Sequence, residues 1–300
     1  MHPLNPLSKL LTVNVPKKFP KVLNLLNFRI TEMCKVYNLE FVDLSKKKIE
    51  MDWEESKLIR TKKVVVSSNP WTSDGVDYAV IAIQKGKLWF LKFGDEKWSA
   101  VDDPKQSHFD DCVYHKGKFY AVDHRGRTVV IGSDLRAEIA ASLPQHGGGH
   151  YKHLVESCGD LFLVDKHLDT EEQVWYDDDE DEDSNLPIHL KIYKLNEEKK
   201  EWEWVKTLGD RVFFVGDDCS YCVSTQDFSG LRRDCIYFCD HMFLDVNEED
   251  ENLVKICGDT GVYSLDDCMC GALATFPELS QIFWPPPAWL KPKPSDMKNE

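Results

Sequence analysis

The sequence predicts an all-β fold, a β-propeller of about six kelch-like blades with a short irregular or helical N-terminal segment. From Val64 onward, short runs rich in Val, Ile, Phe, Tyr and Trp alternate with Gly, Asp, Asn and Ser clusters, which are strand and turn signals. A second observation is that a glycine followed by a polar residue and an apolar strand recurs along the chain. The 42% of apolar residues are enough for a packed core.

The recurring unit begins at four glycines, Gly86, Gly117, Gly159 and Gly209. Each glycine supplies the positive φ of a tight turn, and the nearly apolar strand that follows suits a strand covered on both faces. The offsets of 31, 42 and 50 residues are irregular but bracket the ~40–50-residue period of a propeller blade. An ordinary β-sandwich is the alternative that gives similar runs.

Tryptophan-bearing strands complete the pattern. Trp98 follows the Gly86 strand, and Trp202 and Trp204 follow the Gly159 unit after a turn at 196–200. We expect these large side chains to pack between neighbouring blades, where much apolar area is buried.

The sequence predicts three regions, the second of which contains a long loop. Residues 1–63 form a partly irregular N-terminal segment that contributes to the first blade, and their stretch 21–38 allows a short helix. Residues 64–292 form the propeller, and residues 293–300 a disordered tail. Within the propeller, residues 169–187 form an acidic disordered loop, because the seven consecutive acids 177–183 repel one another. Neither this loop nor the acidic turn 247–252 has the ligand alternation of a calcium site.

Charge excludes some partners. The net charge is −15, and residues 1–63 alone have a basic excess, which is mixed with apolar residues. Nucleic acid is not an expected partner, since phosphate binding needs clustered Lys and Arg.

No segment has the ~20 apolar residues of a bilayer span, so no membrane partner is expected. The proline-broken N-terminus lacks a signal-peptide pattern, and the ten cysteines are therefore expected to be reduced, in the cytoplasm or nucleus.

Several motifs together resemble a plant protein family. They occur in order along nearly the whole chain: Asn5-Pro6-Leu7, 64–71, 86–98, 155–161, 208–216, 235–238 and 284–290. This set is similar to domain of unknown function 295, the KIB-type β-propeller of plant F-box proteins. The resemblance implies a propeller that presents a binding surface, and we expect the closing segment 284–290 to pack against an early blade.

The resemblance also implies a role in ubiquitin ligases. In this family an N-terminal F-box binds the Skp adaptor, and the propeller recruits the protein to be modified. This sequence begins near Asn5-Pro6-Leu7, where the propeller of family members starts. The resemblance therefore predicts a propeller that lacks the F-box of its family, so binding of the Skp adaptor is not expected of this sequence by itself. The sequence does not identify the protein target.

Two sets of cysteines suggest metal binding. Cys219, Cys222, Cys235 and Cys239 have the close pairs of a tetrahedral zinc site. However, 235–239 reads as a strand, which places its two thiols ~13 Å apart at 3.3 Å per residue. Cys268 and Cys270 would lie ~6–7 Å apart on one strand face. We therefore assign no metal ligand.

A histidine cluster suggests a metal or esterase site. His146, His150 and His153 surround the glycines 147–149. An esterase would need a Gly-x-Ser-x-Gly elbow, which the chain lacks, and consecutive glycines are a poor support for metal ligands. A flexible turn between strands is the simpler interpretation.

Three acidic pairs raise the question of carboxylate catalysis. They are Asp110-Asp111, Asp217-Asp218 and Asp266-Asp267. We expect each at a Gly/Asp-rich turn, where Asp bonds the local backbone. The prediction is a non-enzymatic protein-interaction propeller without catalytic residues, cofactor or metal, whose partner contacts lie on unidentified inter-strand loops. The alternative is a metal-dependent or carbohydrate-active propeller enzyme that uses the His and Cys clusters.

Overall fold

A computed structural model gives the fold. It describes residues 4–5, 8–12, 61–68, 78–168, 188–216, 219–227, 231–239, 260–266 and 268–272. The chain forms two compact units, one made of residues 1–35 and 207–300 and the other of residues 36–206. Within the described ranges, all regular secondary structure is β, and no helix has the length and apolarity needed to cross a membrane. The expected all-β composition is confirmed for these residues.

The first two strands are short and pair with each other. They are β1 (Leu4–Asn5) and β2 (Ser8–Thr12), and they form an antiparallel ribbon.

The unit 36–206 contains three four-stranded antiparallel meanders, which we name blades I, II and III. Blade I consists of β3 (Thr61–Val66), β4 (Ala79–Gln84), β5 (Lys87–Lys92) and β6 (Ser99–Ala100). Blade II consists of β7 (Phe109–His115), β8 (Lys118–Asp123), β9 (Thr128–Ile131) and β10 (Ala137–Ala141). Blade III consists of β11 (Tyr151–Ser157), β12 (Asp160–Leu168), β13 (Ile188–Asn196) and β14 (Glu201–Val205).

The three blades pack face to face through apolar cores. Ile81 and Leu88 of blade I share a buried cluster with Phe109 and Phe119 of blade II. A second cluster joins blade II to blade III and includes Trp202. The sheets therefore bury both faces of their central strands, as the apolar strand sequences predict.

The tryptophan prediction is confirmed for one residue and wrong for another. Trp202 is buried between blades II and III. Trp204 lies two residues further along β14 and is 62% exposed, with Lys206 Nζ 5.0 Å from the centre of its ring. Trp98 is half-buried against Val64, Val80 and Ala82 of its own blade.

The four predicted turn glycines all have positive φ, between 69° and 81°. They do not mark equivalent blade positions, however. Gly117 and Gly159 lie between the first and second strands of their blades, whereas Gly86 lies between the second and third. The offset of 31 residues is therefore not a blade repeat. The true repeat is the spacing of the first strands, which begin at Thr61, Phe109 and Tyr151, 48 and 42 residues apart.

The unit containing residues 207–300 holds a five-stranded sheet. Its strands are β15 (Arg211–Val215), β16 (Ser220–Ser224), β17 (Cys235–Cys239), β18 (Thr260–Ser264) and β19 (Met269–Ala272). Their order is β16-β15-β17-β18-β19, with β15 and β17 parallel, so this sheet is not the simple meander predicted for a blade. Phe214 at its centre stacks on Tyr221 and Tyr237 of the two neighbouring strands.

The described residues contain four sheets of blade size, where the sequence predicted about six blades. The predicted count is therefore too high for the part of the chain that the structure describes. Other predictions lie outside the described residues: the helix within 21–38, the acidic loop 169–187, the turn 247–252, the closing segment 284–290 and the tail 293–300.

Candidate functional site

One end of blades I, II and III, which we call the loop end, brings several connections together. It carries residues 85–86, 101–108, 124–127 and 142–150. In an antiparallel meander, the turn after the second strand and the connection after the fourth emerge at the same end. Backbone hydrogen bonds join these segments: Phe109 N–H donates to the Gly86 carbonyl at 2.9 Å, and His124 N–H donates to the His108 carbonyl at 3.0 Å.

A groove of about 830 Å³ opens at the loop end of blade II. It is lined by Lys105, Gln106, Ser107, His108, Asp123, His124, Arg125, Arg127, Ile139, Ser142 and Leu143. The lining residues come from the three connections around blade II and from its second and last strands. This volume is within the range of ligand pockets in proteins, about 300–1,000 Å³.

Arg127 holds the floor of the groove together. Its Nε donates to Asp123 Oδ2 at 3.0 Å, and its Nη2 donates to Asp103 Oδ2 at 2.8 Å and to Ser107 Oγ at 2.6 Å. All three charged side chains are 7% exposed or less. The planar guanidinium suits this role because it presents several donors in a fixed fork. It thereby fixes the 101–108 connection against the 124–127 turn.

These contacts also set the charge state of the floor. Burial raises the pKa of Asp103, but the hydrogen bonds from Arg127 and from the backbone N–H of Ser107 outweigh it and lower that pKa below its ordinary value. Burial lowers the pKa of Arg127, while Asp103 and Asp123 raise it more. In the floor, the charged forms of Asp103 and Arg127 are therefore both favoured by their mutual contact.

Two cations of the groove have no such counter-charge. Lys105 and Arg125 are exposed, and neither side chain takes part in an ion pair with the described residues. Two exposed imidazoles, His108 and His124, lie between them along the chain. The rim of the groove is thus cationic, although the chain as a whole is acidic.

The far wall of the groove is apolar. Ile139 on β10 is 44% exposed and Leu143 in the following connection is 56% exposed. They are two of the four large apolar side chains that are exposed among the described residues. An exposed apolar pair beside a polar rim is typical of a surface that binds another molecule.

The sequence matches the KIB1-4 beta-propeller family over residues 1–264. The chain belongs to this family.

Several curated relatives are F-box proteins of Arabidopsis thaliana. A putative F-box protein is 36% identical over 232 residues, which cover 76% of this chain and 58% of that protein. A second F-box protein is 28% identical over 288 residues, covering 95% of this chain and 68% of the relative. The F-box protein SKIP23 is 29% identical over 290 residues, covering 92% and 67%. The matched part therefore spans about three fifths to two thirds of the length of these three relatives.

The acidic pair Asp110-Asp111 of this KIB1-4 propeller lies within β7 and not at a turn, so that prediction was wrong. Asp111 pairs with the buried Lys63 of β3 and accepts a hydrogen bond from Leu154 N–H of β11 at 2.8 Å. Burial raises the pKa of Asp111, against the effect of the Lys63 ammonium. Asp110 lies 3.4 Å from Lys62 Nζ. These carboxylates connect the first strands of three blades.

The other two acidic pairs lie in the unit 207–300. Asp266 is exposed in the turn between β18 and β19, as predicted. Asp217, Asp218 and Asp267 lie outside the described residues.

The three histidines of the 146–153 cluster are separated by the fold of the KIB1-4 propeller. His146 and His150 are exposed in the connection before β11, whereas His153 is half-buried within that strand. Gly149 lies so close to Asp165 that a Cβ atom would approach its Oδ1 to 2.2 Å. The turn therefore needs glycine for close packing, which differs from the flexible turn predicted.

The cysteines of the predicted zinc set are divided between β16, β17 and the residue before β16. Cys222 on β16 and Cys235 on β17 have β15 between their strands, about 10 Å across two inter-strand spacings. Cys268 lies in the turn before β19 and Cys270 within it, so the predicted shared strand face was wrong. Among the described residues, no group of three or more His, Cys, Asp or Glu has a metal-binding arrangement.

Sequence reasoning did not find the groove of this KIB1-4 propeller. The signal was present at Asp123, Arg125 and Arg127, where two arginines follow an apolar strand inside one turn of an acidic protein. Lys105 and Leu143 are far from that turn in sequence, and only the packing of the blades brings them to it.

Proposed function

We propose that this chain is a protein-recruiting propeller that performs no reaction, and that it serves as the substrate-recruiting part of an F-box-type ubiquitin ligase. The carrying observation is the groove at the loop end, with its cationic rim and exposed apolar wall. The naming of its curated relatives as F-box proteins supports the ligase context. The partner is a protein that becomes ubiquitylated, and an F-box provides the contact with the Skp adaptor.

Two further points belong to this proposal. The whole chain forms about six blades, because about six repeats of 42 to 48 residues, the spacing of the first strands, fit within 300 residues. The chain acts in the cytoplasm or nucleus; Cys112 and Cys158 are free thiols, in keeping with a reducing compartment.

A groove variant tests the recruiting surface. It combines Lys105→Glu, Arg125→Glu and Leu143→Ser, all at side chains that line the groove and carry no ion pair described above. Tagged chains are expressed in plant cells under proteasome inhibition, and their neighbours are quantified by proximity labelling. We expect the groove variant to lose a defined set of proteins.

A matched control separates this surface from a general change of charge. The control combines Lys97→Glu, Lys118→Glu and Phe93→Ser, which are exposed at the opposite end of blades I and II and give the same change of net charge. We expect the control to keep the proteins that the groove variant loses. Joined to an F-box, the unmodified chain should increase ubiquitylation of those proteins. Equal recovery by both variants would contradict the proposal.

A further inference from the structure

We propose that the groove binds an acidic peptide segment carrying one large apolar side chain. This inference rests on the proposed function and specifies the chemistry of the partner. Three features of the groove support it: the rim charges that are unpaired among the described residues, the apolar wall and the size.

The carboxylates near the groove are engaged in hydrogen bonds with the protein itself. Asp123 Oδ1 accepts the backbone N–H groups of Arg125 and Arg127 at 3.0 Å, and its Oδ2 accepts Arg127 Nε. Asp103 Oδ2 accepts Ser107 N–H at 2.8 Å as well as Arg127 Nη2. Because these oxygens are occupied by the protein, they do not offer a binding site for a cation.

The available charges of the rim are positive. Lys105 and Arg125 belong to two connections that Arg127 joins, so the backbone segments that carry them are held together. Since these two side chains lie in a chain of net charge −15, the rim is a local exception to its surroundings. Such a rim attracts carboxylates and repels basic segments.

The apolar wall defines the second half of the ligand. Ile139 and Leu143 present their exposed side chains to the same groove. An apolar side chain of the partner would cover them, and binding hot spots are usually apolar or aromatic anchors of this kind. A nucleic acid fits less well, because two cations are too few to follow a phosphate backbone and the described lining residues include no Phe, Tyr or Trp ring for a base.

Peptide binding can be measured directly by fluorescence anisotropy. The probe is a labelled dodecapeptide of Glu and Asp residues around one central leucine. Two matched probes replace the acids by Gln and Asn, or the leucine by Ser. We expect the acidic leucine probe to bind with a micromolar Kd and each matched probe to bind at least ~10-fold more weakly, as for the loss of one anchor. Raising the salt to 0.5 M should weaken binding, since the rim is exposed.

Variants assign the binding to the groove. Lys105→Glu and Arg125→Glu together, and Leu143→Ser alone, should each weaken binding of the acidic leucine probe by ~10-fold or more. The opposite-end control variant should bind as the unmodified chain does. Circular dichroism of each variant checks that the fold is retained. If a folded groove variant binds the probe unchanged, the proposal is wrong.

The chain contains an acidic run of its own, residues 177–183, which has the chemistry of the proposed ligand. The binding test therefore also uses a chain in which these seven acids are replaced by Asn and Gln. Failure of the acidic leucine probe to bind either chain overturns the inference. Equal binding of a single-stranded RNA of the same charge, or self-association of the chain through the groove, also overturns it.

The two proposals fail in different ways. If the groove variant loses its cellular neighbours while the acidic probe does not bind, the recruiting function stands and the ligand chemistry is wrong. If the probe binds and no cellular protein depends on the groove, the ligand chemistry stands and the recruiting function is wrong.

Discussion

The carboxylate of Asp111 accepts the backbone N–H of Leu154 at 2.8 Å and so joins the first strands of blades II and III. The same carboxylate pairs with Lys63 on the first strand of blade I. One buried residue, 2% exposed, therefore connects three blades of the unit 36–206. The ion pair depends on its negative charge, whereas the hydrogen bond needs only an accepting oxygen.

Asp111→Asn should destabilise the protein strongly. The substitution keeps the size of the side chain but removes the counter-charge of the buried Lys63 ammonium. Breaking a buried ion pair from one side costs about 3–5 kcal/mol of the free energy of unfolding. Urea denaturation measures this loss.

Asp160→Asn is the control, because its ion pair with Lys194 at 2.8 Å is partly exposed and should contribute only about 0–1 kcal/mol. Similar losses in the two variants would refute the assignment.

Arg127→Lys should loosen the floor of the groove. A lysine keeps the charge but lacks the planar fork that reaches Asp103, Asp123 and Ser107, so we expect a loss of about 2 kcal/mol in the free energy of unfolding. The exposed Arg136→Lys should stay within about 0.5 kcal/mol. An unchanged stability of Arg127→Lys would show that the fork is not needed.

The same substitution should change the dependence of stability on acid. Because the pKa of Asp103 is lowered in the folded protein, its ionised form contributes stability above its ordinary pKa. That contribution disappears as the pH falls through the lowered pKa. Arg127→Lys should therefore lose less stability than the unmodified chain when the pH falls below about 4. If the free energies of unfolding of the two proteins fall equally with decreasing pH, the contact between Arg127 and Asp103 does not make this contribution.

The sequence predicted the local parts of this fold better than the contacts between them. Turn glycines such as Gly117 and Gly159 are recognisable because a positive φ is a local property. Asp111 could not be separated from a turn residue, since its partners Lys63 and Leu154 lie some 40 to 50 residues away. The groove was not predicted for the same reason: its rim and its apolar wall come from different connections.

Gly149→Ala should destabilise the connection before β11. The added Cβ would approach Asp165 Oδ1 to 2.2 Å and the Lys166 carbonyl oxygen to 2.5 Å, and the latter is backbone that cannot rotate away. Overpacking of this kind costs about 1–3 kcal/mol. Thermal denaturation checks this value. Gly132→Ala is the matched control, because its nearest neighbour is the end of the exposed Asp134 side chain, and it should cost about 0.5 kcal/mol or less. The reverse ranking would contradict the close-packing account.

His153→Gln should make stability less sensitive to mild acid. Burial, followed by the ammonium groups of Lys63 and of other nearby lysines, lowers the pKa of His153 well below its ordinary value. The imidazole therefore binds a proton near pH 6.5 in the unfolded chain but stays neutral at that pH in the folded protein. As a result, the free energy of unfolding falls as the pH drops below that value, by at most about 1.4 kcal/mol per pH unit. Glutamine cannot take up this proton, so urea midpoints between pH 7.5 and 5.5 should change less in the variant. His124→Gln, which replaces an exposed imidazole, should retain the pH dependence of the unmodified chain. If His153→Gln retains it as well, the titrating group lies elsewhere.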